Sequence, residues 1–165
     1  MRDEPLTVSE MADLIEETHE SWMQLLESAP TDQWEEPGVS GDWSLKDITA
    51  HIAWHEDQMA RVIEARALVG SDWWNLPTDE RNANIYAATK DAPLESVIAN
   101  ARAAHEELVC RIRELSDSDL NETGHFAGMP DDWLFGEILA QNTFEHYGDH
   151  AATVARWLAD REHRA

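Results

Sequence analysis

Two pairs of histidines have a spacing that could bring their imidazole rings to one point. His51 and His55 are four residues apart, and so are His146 and His150. On an α-helix, side chains at positions i and i+4 share a face, with their Cβ atoms about 5–6 Å apart. Each pair could therefore offer two ring nitrogens to one metal ion or take part in proton transfer.

A metal site is one interpretation of this pattern. A histidine from a neighbouring helix would complete a set of three nitrogens and leave positions open for water or substrate. The alternative is a group of buried rings that bond to neighbours such as Asp47, Glu56 or Asn142. Chance alone produces roughly 0.4 pairs at this spacing in a chain with this many histidines. Both interpretations stay open, although burying four neutral rings without partners would be costly.

The remaining four histidines carry weaker predictions. His105 falls on the apolar side of a predicted helix and His19 flanks the apolar side of another. Both are expected to be packed side chains rather than ligands. His125 lies in a predicted loop, and His163 lies near the C-terminal end of the sequence.

Four long amphipathic segments are expected to position the histidines. Apolar residues recur at helical spacing, and proline, glycine, serine and aspartate separate the segments. The predicted helices span residues 7–30, 44–70, 91–115 and 132–160, with a short helix at 79–89 and a loop at 116–130. Capping boxes are predicted at Thr7 with Glu10 and at Ser44 with Asp47. The pattern predicts an all-α four-helix bundle, as a single domain over residues 1–165, with the short helix between helices two and three.

The charge balance narrows the choice of binding partners. The chain has 34 acidic and 12 basic residues and a formal net charge of −22. Such a surface repels phosphate backbones and anionic lipids, so nucleic acid and membranes are not expected partners.

The first residues lack the pattern of a signal peptide, and the lone Cys110 permits no intramolecular disulfide. We expect a cytoplasmic protein in which Cys110 is a small apolar filler.

Tryptophan is unusually frequent, with eight residues in this chain. Several aromatics together could wall a pocket above the bundle. The tryptophans at predicted helix entries or connections are Trp43, Trp73, Trp74 and Trp133.

Three segments resemble a known family. Residues 41–51, GDWSLKDITAH, resemble the helix-two motif of the DinB/YfiT-like superfamily, in which a tryptophan and a serine or threonine precede a histidine. Residues 81–86, RNANIY, and residues 142–150, NTFEHYGDH, are similar to the ClbS/DfsB branch of that superfamily. The resemblance spans nearly the whole chain in the same order.

The resemblance implies a four-helix bundle that is often a homodimer and often binds a divalent metal. Carried over to the matching positions, the metal ligands are His51, His146 and His150, and the ion is expected to be Zn²⁺ or Ni²⁺. His55 then becomes a fourth ligand or a proton carrier, and Glu56 a second group for proton transfer. The residues expected around a small-molecule substrate are Trp43, Trp54, Tyr86, Trp133, Asn142 and Tyr147.

For the ClbS/DfsB branch, the implied activity is hydrolytic opening of a strained, electrophilic small molecule, in self-resistance or detoxification. The wider superfamily also implies a thiol-dependent transferase or isomerase, for which Arg81 would supply positive charge near a recognised motif. A non-enzymatic protein that sequesters a reactive molecule in the tryptophan-rich pocket is the third alternative. The resemblance favours the enzyme.

Overall fold

The computed structural model describes residues 5–163 and is helical through most of that range. Within the described residues there are seven α-helices and two short 3₁₀ helices, at Thr31–Gln33 and Asp72–Asn75. The α-helices are α1 (Val8–Glu27), α2 (Leu45–Ala65), α3 (Thr78–Thr89), α4 (Leu94–Ile112), α5 (Asp117–Asn121), α6 (Phe135–Asn142) and α7 (Phe144–Glu162).

The predicted all-α bundle is confirmed. Helix α2 packs against α4, and α1 packs against α7. Helices α6 and α7 are in contact and together form the fourth helix of the bundle. The short extra helix predicted at 79–89 is α3, which lies against α2. The predicted capping boxes are present, because Thr7 and Ser44 each accept a bond from the backbone N–H of the acidic residue three positions later.

Helix α2 is buried on nearly all sides. Its buried side chains include the polar residues Thr49, His51, His55, Glu56 and Gln58 as well as its apolar ones. A helix that faces only one neighbour would bury a single stripe. Because α2 contacts α3, α4, α6 and α7, polar groups on several of its faces become interior groups that need partners.

Several predicted boundaries were wrong. The fourth helix begins at Phe135 rather than at residue 132, and it is interrupted at Thr143, whose φ and ψ of −129° and −107° are not helical. Helix α2 ends at Ala65 and not at residue 70, because Arg66 adopts a left-handed conformation with φ 51°. The segment predicted as a loop at 116–130 contains α5.

One other prediction is wrong, because Cys110 is exposed and does not fill the core. Among the residues the structure describes, none of the helices has the length and apolar character needed to cross a bilayer.

Candidate metal centre

The four histidines of the two predicted pairs meet at one place between α2 and α7. Nε2 of His146 lies 3.0 Å from Nε2 of His51 and 3.1 Å from Nε2 of His150. The ring of His55 lies 4.6 Å from that of His146 and 4.7 Å from that of His51, measured between centroids. We call His51, His55, His146 and His150 the histidine cluster.

The helices explain why these rings converge. The i and i+4 spacing places His51 above His55 on one face of α2, and His146 above His150 on one face of α7. Packing of α2 against α7 then turns the two faces toward each other. His51, His55 and His146 each offer a ring nitrogen, and these three atoms lie within 4.8 Å of one another.

Asn142 fixes the orientation of His55. Its Oδ1 lies 2.8 Å from Nδ1 of His55, and its Nδ2 donates to the carbonyl of Ile138 at 2.8 Å. Because the amide nitrogen is already used, the oxygen faces His55 and accepts the proton of Nδ1. Nε2 of His55 is then an unprotonated acceptor, and it is buried without a hydrogen-bond partner.

The histidine cluster is neutral at neutral pH. Burial is the largest cause, and it lowers the pKa of His55 to about 4 and that of His146 to about 3. Burial also lowers the pKa of His150, and it holds the pKa of His51 far below its ordinary range. Neutral imidazole is the form that binds metal ions.

These residues fit a divalent metal ion. Ligand nitrogens around a tetrahedral zinc ion with bonds of about 2.1 Å lie roughly 3.4 Å apart, close to the spacings between the Nε2 atoms. Nε2 of His146 contacts the Nε2 atoms of both His51 and His150, yet a neutral ring nitrogen offers either one proton or one lone pair, so hydrogen bonds cannot pair all three atoms. Nε2 of His55 is also buried and has no hydrogen-bond partner.

Aromatic side chains line the histidine cluster. Trp43 packs edge to face on His51, with ring centroids 5.2 Å apart, and stacks on Tyr86, with centroids 6.0 Å apart. Trp54 and Trp74 each pack edge to face on His55, with centroids 4.9 and 5.6 Å from that of the imidazole. These four residues, which we call the aromatic wall, include three of the predicted pocket residues.

Polar groups near the aromatic wall also lack partners. The guanidinium of Arg81 lies over the ring of Trp74 at 5.4 Å. Burial and the neighbouring histidines are the larger causes that lower the pKa of His51 and His146, and the positive charge of Arg81 lowers it further. Nε of Arg81, Nε1 of Trp74 and Oδ1 of Asn82 are buried without hydrogen bonds. Arg81 was expected near the site for its charge and Trp74 as part of a pocket wall, whereas Asn82 was noted only as a member of the RNANIY segment.

Three predicted site residues, Glu56, Tyr147 and Trp133, do not contact the histidine cluster through the hydrogen bonds and ring contacts described. Glu56 and Tyr147 bond to each other in a second group of side chains, and Glu56 also contacts His105. Trp133 is 46% exposed, and among the described ring contacts none joins it to the histidine cluster. Asn142 is brought to the cluster as predicted, through its bond to His55.

The sequence and the fold agree on the class of protein. The family model of the DinB superfamily matches residues 14–154, so the chain belongs to that superfamily. No curated protein matches the sequence.

Three solved structures show the same fold. An uncharacterised protein from Escherichia coli UTI89 is similar with a TM-score of 0.79 and 15% identity, covering 96% of each chain. The colibactin self-resistance protein ClbS, solved in complex with dsDNA, is similar with a TM-score of 0.76 and 16% identity over 92% of this chain and 95% of its own. DfsB, described as a sibling lethal factor precursor, has a TM-score of 0.75 and 16% identity over 96% of this chain and 98% of its own. At these identities the likeness is one of fold.

Proposed function

We propose that the protein is a metal-dependent hydrolase that opens a small electrophilic molecule, in self-resistance or detoxification. The observation that carries this proposal is the convergence of the Nε2 atoms of His51, His146 and His150 at 3.0 and 3.1 Å. The fold likeness to ClbS, a self-resistance protein, supports the class of substrate.

His51, His146 and His150 are the proposed ligands, and Zn²⁺ or Ni²⁺ the proposed ion. When bound, such an ion lowers the pKa of water or polarises an electrophilic group. The ligands come from two helices held by a packed core, which keeps the site rigid.

His55 is the proposed proton acceptor. Its Nε2 is unprotonated because Asn142 accepts the proton of Nδ1, and this nitrogen faces the cluster without a partner. In hydrolysis, one O–H bond of water and one strained bond of the substrate break, and a C–O bond forms. The proton released by water passes to His55 and then to the atom that leaves with the electron pair. Glu56 is not part of this step because it bonds to Tyr147 and His105 instead.

The aromatic wall is the proposed contact surface for the apolar part of the substrate. Trp43 and Tyr86 are stacked, and each is partly exposed, so their ring faces and edges can contact a ligand. One unpaired buried donor, Nε of Arg81, could bond to its polar atoms. A substrate atom that accepts this bond would remove the cost of leaving the donor unsatisfied.

Elemental analysis of protein purified without an affinity tag tests the metal. We expect one equivalent of metal in this site, lost in His51→Ala and in His146→Ala but retained in His55→Ala and in the control His125→Ala.

Mass spectrometry of strained-ring electrophiles incubated with the protein tests the reaction, and the expected product has the mass of the substrate plus one water. Full hydrolysis by metal-free His146→Ala protein would rule the mechanism out.

A thiol-dependent transferase is the second candidate, and Arg81 favours it. A thiolate is anionic, and Arg81 places positive charge close enough to influence His51, His55 and His146. In that reaction the thiolate sulfur forms a bond to carbon while the leaving group departs with its electron pair. Product formation that requires an added low-molecular-weight thiol would identify this alternative.

A further inference from the structure

A buried hydrogen bond joins the two helices that carry the histidine cluster. Glu56 follows His55 on α2, and Tyr147 follows His146 on α7. On a helix, the next residue is rotated by about 100°, so these two side chains leave their helices on a different side from the cluster. The hydroxyl of Tyr147 donates a hydrogen bond to Oε1 of Glu56. Helices α2 and α7 are therefore in polar contact at two neighbouring places, through the imidazoles and through this bond.

Burial and charge make this bond strong. Glu56 is 0% exposed and Tyr147 is 2% exposed, so water does not compete for either group. A hydrogen bond to a carboxylate is roughly twice as strong as one between neutral groups. Nδ1 of His105, on α4, lies 2.9 Å from the same Oε1, and a protonated His105 balances the charge of Glu56. The carboxylate can thus stay ionised in the interior as the acceptor for Tyr147.

Helix α7 depends on such a bond where it carries His146. The backbone at Thr143 is not helical, so α7 is not a rigid continuation of α6. Gly148 lies two residues after His146, and glycine in the interior of a helix weakens it. His146 and Tyr147 are therefore in the first turn of α7, between two weak positions. The bond from Tyr147 fixes this turn against α2.

A small rotation of this turn would displace the imidazole of His146. Side chains end roughly 5–6 Å from the axis of a helix, so a rotation of about 10° moves their ends by about 1 Å. A functional site needs its groups held within about 0.5 Å. His150 is on the same helix as His146, whereas His51 is on α2. The distance of 3.0 Å between Nε2 of His51 and Nε2 of His146 is thus the one that the rotation would change.

We propose that Tyr147 and Glu56 are positioning residues of the histidine cluster, which fix the rotation of α7 at which His146 meets His51. They act through the two helices, since neither side chain contacts the cluster through the hydrogen bonds described. Because the cluster is the proposed metal site, the effect of these residues on metal binding rests on the proposed function.

Cobalt binding to Tyr147→Phe tests the proposal, because this substitution removes the hydroxyl and keeps the ring. The full chain is freed of metal with a chelator, and Co²⁺ is followed by its visible absorption and by equilibrium dialysis. Replacing groups that orient metal ligands typically lowers metal affinity by about 10–100-fold, so we expect a loss of about tenfold and an altered absorption spectrum. Affinity and spectrum equal to those of the wild type would overturn the proposal.

Ile112→Val is the control for a general loss of stability. Ile112 is a fully buried residue of α4, so shortening its side chain should lower the urea midpoint. The Co²⁺ affinity and spectrum should not change in this variant. An equal loss of affinity in Ile112→Val and in Tyr147→Phe would overturn the positioning role, because any loss of packing would then have the same effect.

Glu56→Gln is a second variant. Its amide oxygen can still accept from Tyr147, but the bond is weaker without the negative charge, so we expect a smaller loss of Co²⁺ affinity, about threefold. If Tyr147→Phe does not fold, Glu56→Gln decides alone. A loss of affinity with an altered spectrum then supports the proposal, and unchanged binding overturns it.

The metal-free protein separates this proposal from the proposed function. If the wild type binds no Co²⁺, the metal-dependent function fails, and the nitrogen-15 shifts of the imidazoles test the positioning role instead. Nε2 of His51 and Nε2 of His146 are within hydrogen-bonding distance, so their shifts should change in Tyr147→Phe and not in Ile112→Val. Unchanged shifts in Tyr147→Phe would overturn the proposal.

Discussion

Oδ1 of Asn142 lies 2.8 Å from Nδ1 of His55, and the same amide donates to the carbonyl of Ile138, so the orientation of Asn142 decides which nitrogen of His55 carries the proton. Asn142 is the last residue of α6, directly before the interruption at Thr143. His146 lies four residues further on, in α7. The interrupted helix therefore contributes both a ring of the cluster and the group that orients another.

Replacing Asn142 should change the tautomer of His55. In Asn142→Ala the acceptor for Nδ1–H is lost, so we expect a mixture of the two neutral tautomers instead of one. Nitrogen-15 chemical shifts of the metal-free protein report this directly. Gln141→Ala is the matched control, because Gln141 is the exposed neighbour in the same helix. A single unchanged tautomer in Asn142→Ala would show that another group orients the ring.

A methyl group at position 70 should disturb the aromatic wall. A Cβ on Gly70 would lie 2.5 Å from Cδ1 and Nε1 of Trp74 and 2.9 Å from Oε1 of Gln58, which accepts from the backbone of Ser71. Because Trp74 contacts His55, Gly70→Ala should displace this ring and change its contact with the cluster. We expect a loss of about 1–3 kcal/mol in the free energy of unfolding and a change in tryptophan fluorescence.

Gly148→Ala provides the control for this substitution. Gly148 is an exposed residue within α7, and a Cβ there would meet nothing within 4 Å. Alanine is favoured over glycine in a helix by about 1 kcal/mol, so the control should be stabilising. Equal effects of the two substitutions would contradict the close approach at Gly70.

Double-stranded DNA should not bind, in contrast with the solved ClbS complex. A formal charge of −22 opposes the contacts with phosphate that provide most non-specific affinity. Fluorescence anisotropy of a labelled duplex at low salt should show no change up to micromolar protein. ClbS is the positive control, and saturable binding that weakens with salt would contradict the expectation.

The fold was predictable because local signals agree with one another. Apolar spacing marked each long helix, and Thr7–Glu10 and Ser44–Asp47 marked two helix starts that the structure confirms. The interruption at Thr143 was not predicted, since threonine is tolerated in helices and no proline or glycine marks the position.

The histidine pairs were predictable for the same reason, because i and i+4 spacing fixes a shared face within one helix. The opposite placement of Glu56 could also have been foreseen from its position one residue after His55. The meeting of Glu56 with His19 and His105 could not, since it depends on how α1 and α4 pack around α2.

Acidification should destabilise the metal-free protein between about pH 6.5 and pH 4. In the fold, burial lowers the pKa of His55 to about 4 and that of His146 to about 3, whereas both are near 6.5 when unfolded. Within that window the unfolded chain binds protons that the folded chain does not, so the free energy of unfolding falls as the pH falls. Urea unfolding in the presence of a chelator measures this dependence. His55→Gln removes one such group and should reduce the slope by up to about 1.4 kcal/mol per pH unit. A slope equal to that of the wild type would mean that His55 takes up its proton in the folded state, and it would then be charged when the proposed reaction needs its lone pair.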